Sequence, residues 1–240
     1  TLIARLNDVP TTGSVSRVAY GVRNLALTDD LQTPMPFETG QTNSCRLLFH
    51  NTAYRFEKGH RIRLALSSTY WPMIWPSPVC AHIALYLSDM CLKLPVRSAT
   101  ADESSIMFPA AEKSQSLESH VFVTDPSLRR ESEIENSTGR RLIGWHQPRK
   151  GVKFPKINLT METETKARHE ITETPPYNPS TEYEHELRYF REDWDIRIIS
   201  KARLTSTDKT YQLNGAIKVT ENDRLVFERD WSQVLNRTIA

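Results

Sequence analysis

Residues Gly59–Pro78 read Gly-His-Arg-Ile-Arg-Leu-Ala-Leu-Ser-Ser-Thr-Tyr-Trp-Pro-Met-Ile-Trp-Pro-Ser-Pro, and they restrict the fold of this chain more than any other stretch. A turn glycine feeds a run in which Ile62, Leu64 and Leu66 alternate with Arg61, Arg63 and Ala65. That is the period of a half-buried β-strand. The run then enters a corner holding Trp71 and Trp75, with Pro72, Pro76 and Pro78 around them. Proline limits the freedom of the unfolded chain and the indoles offer a large apolar surface, so the corner is expected to be rigid and docked. A sugar-stacking platform of Tyr70, Trp71 and Trp75 is the other reading of the same residues.

The rest of the chain is punctuated in the same way. Val18–Val22, the face Cys45, Leu47 and Phe49, the alternation Ala81, Ile83, Leu85 and Leu87, and the run Leu92, Leu94 and Val96 predict further strands. Thr12-Gly13, Thr39-Gly40 and Lys58-Gly59 mark turns between them. Residues 1–97 are thus expected to form a β-sandwich core. Residues 98–150 are polar and weakly periodic, and predict loop with one short strand. Residues 151–240 predict additional strands packed on the same sandwich, through Ile157/Leu159/Met161, Trp194/Ile196/Ile198 and a hairpin turning at Glu221-Asn222-Asp223-Arg224. Thr181–Phe190 allows a short helix, although its neighbours favour a strand.

The chemistry of the chain is defined by what it lacks. No Gly-x-Ser-x-Gly elbow is present, the eight glycines form no phosphate loop, and no two histidines stand four apart. We therefore assign no catalytic, cofactor-binding or metal-binding residue. His60 follows a turn and is read as a hydrogen-bonded structural residue, and His82 as a surface or interface residue. His169 near Glu170 and Glu173 is read as a solvated loop contact, and His50, His120, His146 and His185 join no constellation. The carboxylates Glu182, Glu184, Glu186, Glu192, Asp193 and Asp195 are interleaved with Arg188 and Arg191, which favours a solvated charged face over a pair for glycoside hydrolysis. A net charge of +2 with no polybasic block argues against nucleic acid, and no apolar run approaches the ~20 residues of a membrane helix. Cys45, Cys80 and Cys91 are read as small buried residues of a cytoplasmic protein. Asn136, Asn158 and Asn236 begin glycosylation-type triplets, but the first residues carry no secretion signal.

Several segments together resemble one family. They are Ala4–Val9, Val18–Leu25, Ala53–Phe56 through Gly59–Leu64, Ser67, Tyr70-Trp71-Pro72, Trp75–Pro78 and Leu94–Arg97. This set resembles the C-terminal, non-catalytic domain of the X-Pro dipeptidyl-peptidase and cocaine esterase family of serine hydrolases. Arg191-Glu192-Asp193-Trp194 and Val226-Phe227-Glu228-Arg229-Asp230-Trp231 resemble a longer-tailed branch. The resemblance implies a jelly-roll-type, galactose-binding-like β-sandwich with extra C-terminal strands. It also implies a partner, the α/β-hydrolase domain of the same parent protein, which holds the catalytic triad. Tyr70, Trp71 and Trp75 are the expected inter-domain patch. The chain begins inside a strand, and against the family pattern this leaves an unpaired edge beside Leu2–Leu6, open to self-association. A stand-alone carbohydrate- or peptide-binding module and an oligomerisation domain are the rival readings.

Overall fold

The structure is a computed structural model and describes residues 1–27, 33, 40–78, 82–98, 106–123, 127–174 and 177–237. Among them the fold is all-β, with 3-10 turns at Leu87–Asp89 and Pro155–Ile157 and no α-helix. No helix of the described residues is long and apolar enough to cross a membrane.

Three strands form a first antiparallel sheet in the order β2-β1-β3: β1 (Leu2–Val9), β2 (Ser16–Arg23) and β3 (Arg61–Ser67). The strand β1 is central. Ile3 lies opposite Val22 on one side and Ser67 on the other, and Leu6 opposite Ala19 and Leu64. Flanked on both sides, Leu2, Ile3, Ala4 and Leu6 are buried and form the core of this sheet. The expected open edge beside Leu2–Leu6 is therefore absent, because β2 and β3 occupy both sides of it. Self-association through that edge falls with it.

Eight strands form a second antiparallel sheet: β4 (His120–Val123), β5 (Arg129–Glu135), β6 (Arg140–Phe154), β7 (Leu159–Thr172), β8 (Ser180–Arg191), β9 (Trp194–Ser206), β10 (Thr210–Glu221) and β11 (Arg224–Asn236). Their order is β11-β10-β9-β8-β7-β6-β4, and β5 also pairs with β6. The ladder between β6 and β7 shifts register between Gln147 and Lys150, around Pro148, which has no N–H to give. On the far side of β6, β5 covers Arg140–His146 and β4 covers Lys150–Lys153. The predicted hairpin closes through Asn222 and Asp223, both with positive φ, the conformation a two-residue turn requires and these residue types tolerate. Thr181–Phe190 is wholly strand within β8.

Two expectations about local structure are corrected. Residues 41–57, which hold the Cys45/Leu47/Phe49 pattern, and residues 82–98 carry no strand. Alternation selects a face but does not supply a neighbour. Residues 41–57 meet β2 through one backbone bond, His50 N–H to Tyr20 O at 3.1 Å, and Val96 is left 88% exposed. Conversely, residues 98–150 hold β4, β5 and most of β6, where expectation placed a loop. Pairing of β4 and β5 with β6, and of β6 with the long strand β7, overrides their weak periodicity. Cys45 and Cys91 are exposed thiols rather than buried ones, while Cys80 and Ala81 lie outside the described residues.

Candidate functional site

The corner follows directly from β3. Ile74 N–H donates to Tyr70 O at 2.8 Å, closing a tight loop that contains the cis Trp71–Pro72 peptide. The two indoles meet edge to face, with centroids 5.0 Å apart and planes at 69°. This is not the flat pair of faces a sugar platform presents. Both indoles are half-buried against the second sheet. Trp75 Nε1–H donates to Ser206 Oγ at 2.8 Å, and its ring stands 6.1 Å from Tyr211, which lies opposite Ser206 in the β9–β10 ladder. Trp71 meets the edge of His169 at 6.4 Å. From the other end of the chain Arg237 closes over the corner. Its guanidinium donates to Pro76 O at 2.7 Å, Thr207 O at 2.8 Å and Ser206 Oγ at 3.2 Å, and it lies 4.7 Å above the Tyr211 ring. Arg237 is a strap that sequence reading missed, because nothing local in Asn236-Arg237-Thr238 announces a contact with Pro76.

Tyr70 does not join the two indoles. It sits on the first sheet between Arg5, whose guanidinium is 4.9 Å from the ring centroid, and Arg17, which hydrogen-bonds the phenol oxygen. The three residues expected to form one patch are thus divided between the sheets, with Trp71 and Trp75 turned toward the chain's own β7, β9 and β10.

His169 is corrected from solvated loop residue to buried strand residue, 6% exposed on β7. Adjacent strand residues point to opposite faces. His169 accordingly meets Trp71, Tyr183 and Thr181 Oγ1, the last at 3.0 Å from Nδ1, while Glu170 turns to Arg140 and Arg168. No His–carboxylate pair exists there. Burial pushes the His169 imidazole below its ordinary value of 6.5. The folded state therefore resists protonation of His169. Its contribution to stability is present above about pH 6.5 and is lost as pH falls below it. Tryptophan emission is expected to report loosening of the corner between pH 7.5 and 5, and His169→Gln is expected to remove that step. A step that persists in the variant assigns it elsewhere.

The acidic residues of β8 and their neighbours face cations across the ladders. Glu184 lies 2.8 Å from Lys201, Glu186 2.8 Å from Arg197 and 2.9 Å from Arg149, and Arg188 2.5 Å from Asp195. His146, expected to stand apart, lies 2.7 Å from Glu164. A general acid needs a raised pKa. Here Lys201 holds Glu184 below the usual carboxylate range, Arg188 does the same to Asp195, and Arg140 to Glu170. For Glu164 burial acts upward but is outweighed by its bonds to His146 and Lys166. This face has the charge pattern of a structural lattice rather than of a glycosidase pair. Among the described residues no three His, Cys, Asp or Glu side chains converge as a metal ion requires.

A third cluster sits under the first sheet. His60 Nδ1 is 2.9 Å from both carboxylate oxygens of Asp8, and Tyr54 OH donates to Asp8 Oδ2 at 2.8 Å. The His60 bond holds the Asp8 carboxyl below its ordinary value of 3.8, with burial acting the other way and Tyr54 adding to the lowering. His60 is thus the structural residue its turn position implies. Asn7 Nδ2 donates to Arg5 O at 3.0 Å and Arg63 O at 3.4 Å, tying β1 to β3. The scattered motif residues Asp8, Tyr54 and His60 therefore meet in space beside the start of the strand that leads to the corner.

The family model of the X-Pro dipeptidyl-peptidase C-terminal non-catalytic domain matches residues 1–111 of the chain. No curated protein and no solved structure matches the chain. The family segment holds β1, β2, β3, the Asp8–His60–Tyr54 cluster and the Trp-Pro corner. The whole eight-stranded sheet lies beyond it, as do the tail segments Arg191–Trp194 and Val226–Trp231. The corner is thus the point at which the segment matched by the family model meets a sheet outside that match.

Proposed function

We propose that this chain is an accessory C-terminal domain of a serine acyl hydrolase of the X-Pro dipeptidyl-peptidase and cocaine esterase type. In this reading it buttresses an α/β-hydrolase domain of the same parent protein and shapes the entrance to that domain's pocket. The observation that carries it is the family match over residues 1–111, which is to a non-catalytic domain. The sequence agrees, since it has no nucleophile elbow. In the parent, the first sheet belongs to a jelly-roll-type sandwich, and the outward side of the Tyr70–Trp75 corner, where Met73 is exposed, meets the hydrolase domain. We place the protein in the cytoplasm, where thiols as exposed as Cys45 and Cys91 stay reduced.

The 240-residue chain is expected to show no turnover of an activated ester above the buffer rate, with or without a serine-directed phosphonate. Turnover that the phosphonate abolishes would overturn the assignment, because it would place an acyl-forming serine in this chain.

A further inference from the structure

The edge of the second sheet carries a surface that the family match does not account for. All thirteen residues of β11 are exposed, and among the described residues only its β10 side is paired. It contains no lysine or proline, two residues that commonly blunt such an edge, and its charges are Arg224, Glu228, Arg229 and Asp230. Phe227, Arg229, Trp231, Gln233 and Leu235 share one face, opposite Val219, Ile217, Gly215, Leu213 and Tyr211 of β10. Phe227 is 48%, Trp231 44% and Leu235 46% exposed. The Trp231 ring lies over Gly215, where a Cβ would stand 2.2 Å from it, so the indole is held flat on the sheet beside the free edge.

We propose that β11 pairs antiparallel with β11 of a second copy of this chain, about a two-fold axis at Trp231. The occupant is argued from charge and register. Antiparallel strands of identical sequence related by a two-fold axis place one residue opposite itself, and every partner shares its face. With the axis at Trp231, Phe227 faces Leu235, Arg229 faces Gln233, Asp230 faces Ser232 and Glu228 faces Val234. Aromatic meets aromatic or aliphatic, and no charge lies opposite a like charge. Arg229 also comes within diagonal reach of the second indole, a cation–π geometry. The two Asp230 residues approach only along a diagonal, in solvent. Moving the axis to Asp230 sets that carboxylate against itself. Moving it to Arg229 opposes two guanidiniums and sets Glu228 against Asp230. The Trp231 register uses residues 227–235, which lie clear of the irregularity between Val219 and Thr220 in the β10–β11 ladder. Nine paired residues supply about nine backbone hydrogen bonds. The inference is independent of the proposed hydrolase partner.

Sedimentation of the 240-residue chain over rising concentration is expected to show a monomer–dimer equilibrium. Gln233→Lys sets a second cation opposite Arg229 at a solvent-exposed position. It is expected to raise the dimer dissociation constant on the order of tenfold at unchanged melting temperature. In a background with Cys45, Cys80 and Cys91 changed to serine, Trp231→Cys is expected to form a symmetric disulfide on mild oxidation, and Asp230→Cys is not. A chain that stays monomeric throughout overturns the proposal. So does a dimer indifferent to Gln233→Lys, or one that cross-links through Asp230→Cys and not through Trp231→Cys.

Discussion

Replacing Ile3 by alanine is expected to cost about 2–5 kcal/mol of unfolding free energy, seen as a lower urea midpoint at unchanged slope. Ile3 is fully buried on the central strand of the first sheet, opposite Val22 and Ser67. Removing its outer carbons leaves a cavity that paired backbones on both sides cannot close. The matched control is Ile62→Ala on β3. Ile62 is an equally good strand former and belongs to the alternation that marks β3 in sequence, but it is half exposed. Its loss is expected to stay below about 1 kcal/mol. Equal costs at the two positions would mean that β1 is not the covered strand.

Trp75→Ala is expected to lower stability by about 3 kcal/mol, less than the upper range for a fully buried tryptophan because part of the ring remains in water. The contacts between the two sheets run through Trp71, Trp75 and Pro76, so this change acts on the coupling between sheets as well as on local packing. It is expected to split a single unfolding transition into two. Trp75→Phe keeps most of the apolar surface and removes the bond to Ser206. Its cost is expected to be about 1 kcal/mol, with one transition retained. Two transitions in the phenylalanine variant, or one in the alanine variant, would contradict a corner that couples by packing.

The elements legible in the sequence are those whose cause is local. The β10–β11 hairpin is visible because Asn222 and Asp223 tolerate positive φ between two apolar runs. Strand β3 is visible because Ile62, Leu64 and Leu66 alternate behind a turn glycine, and β9 because Trp194, Ile196 and Ile198 alternate after Glu192-Asp193. The ambiguity of Thr181–Phe190 was also local. Its charges suit either period, and only Lys201, Arg197 and Arg149 across the ladders make it a strand with satisfied carboxylates. The candidate corner was legible as a rigid apolar object, whereas its contacts were not. Ser206, Tyr211 and Arg237 stand more than a hundred residues away from Trp75 and Pro76, and no spacing rule links them.

The sequence by itself determined the all-β class, the hairpin at Asn222-Asp223, the absence of a nucleophile elbow and the family likeness of residues 1–111. Each depends on residue types at short separation. Only the tertiary structure decided which strands have neighbours. It covered both sides of Leu2–Leu6, left the alternating run at 82–98 outside any strand, and made strands of 129–135 and 140–154. The physical reason is that side-chain periodicity selects a face at each residue, while backbone hydrogen bonds need a second strand brought in from far along the chain. The same reason turned Trp71 and Trp75 inward and left β11 as an edge strand among the described residues.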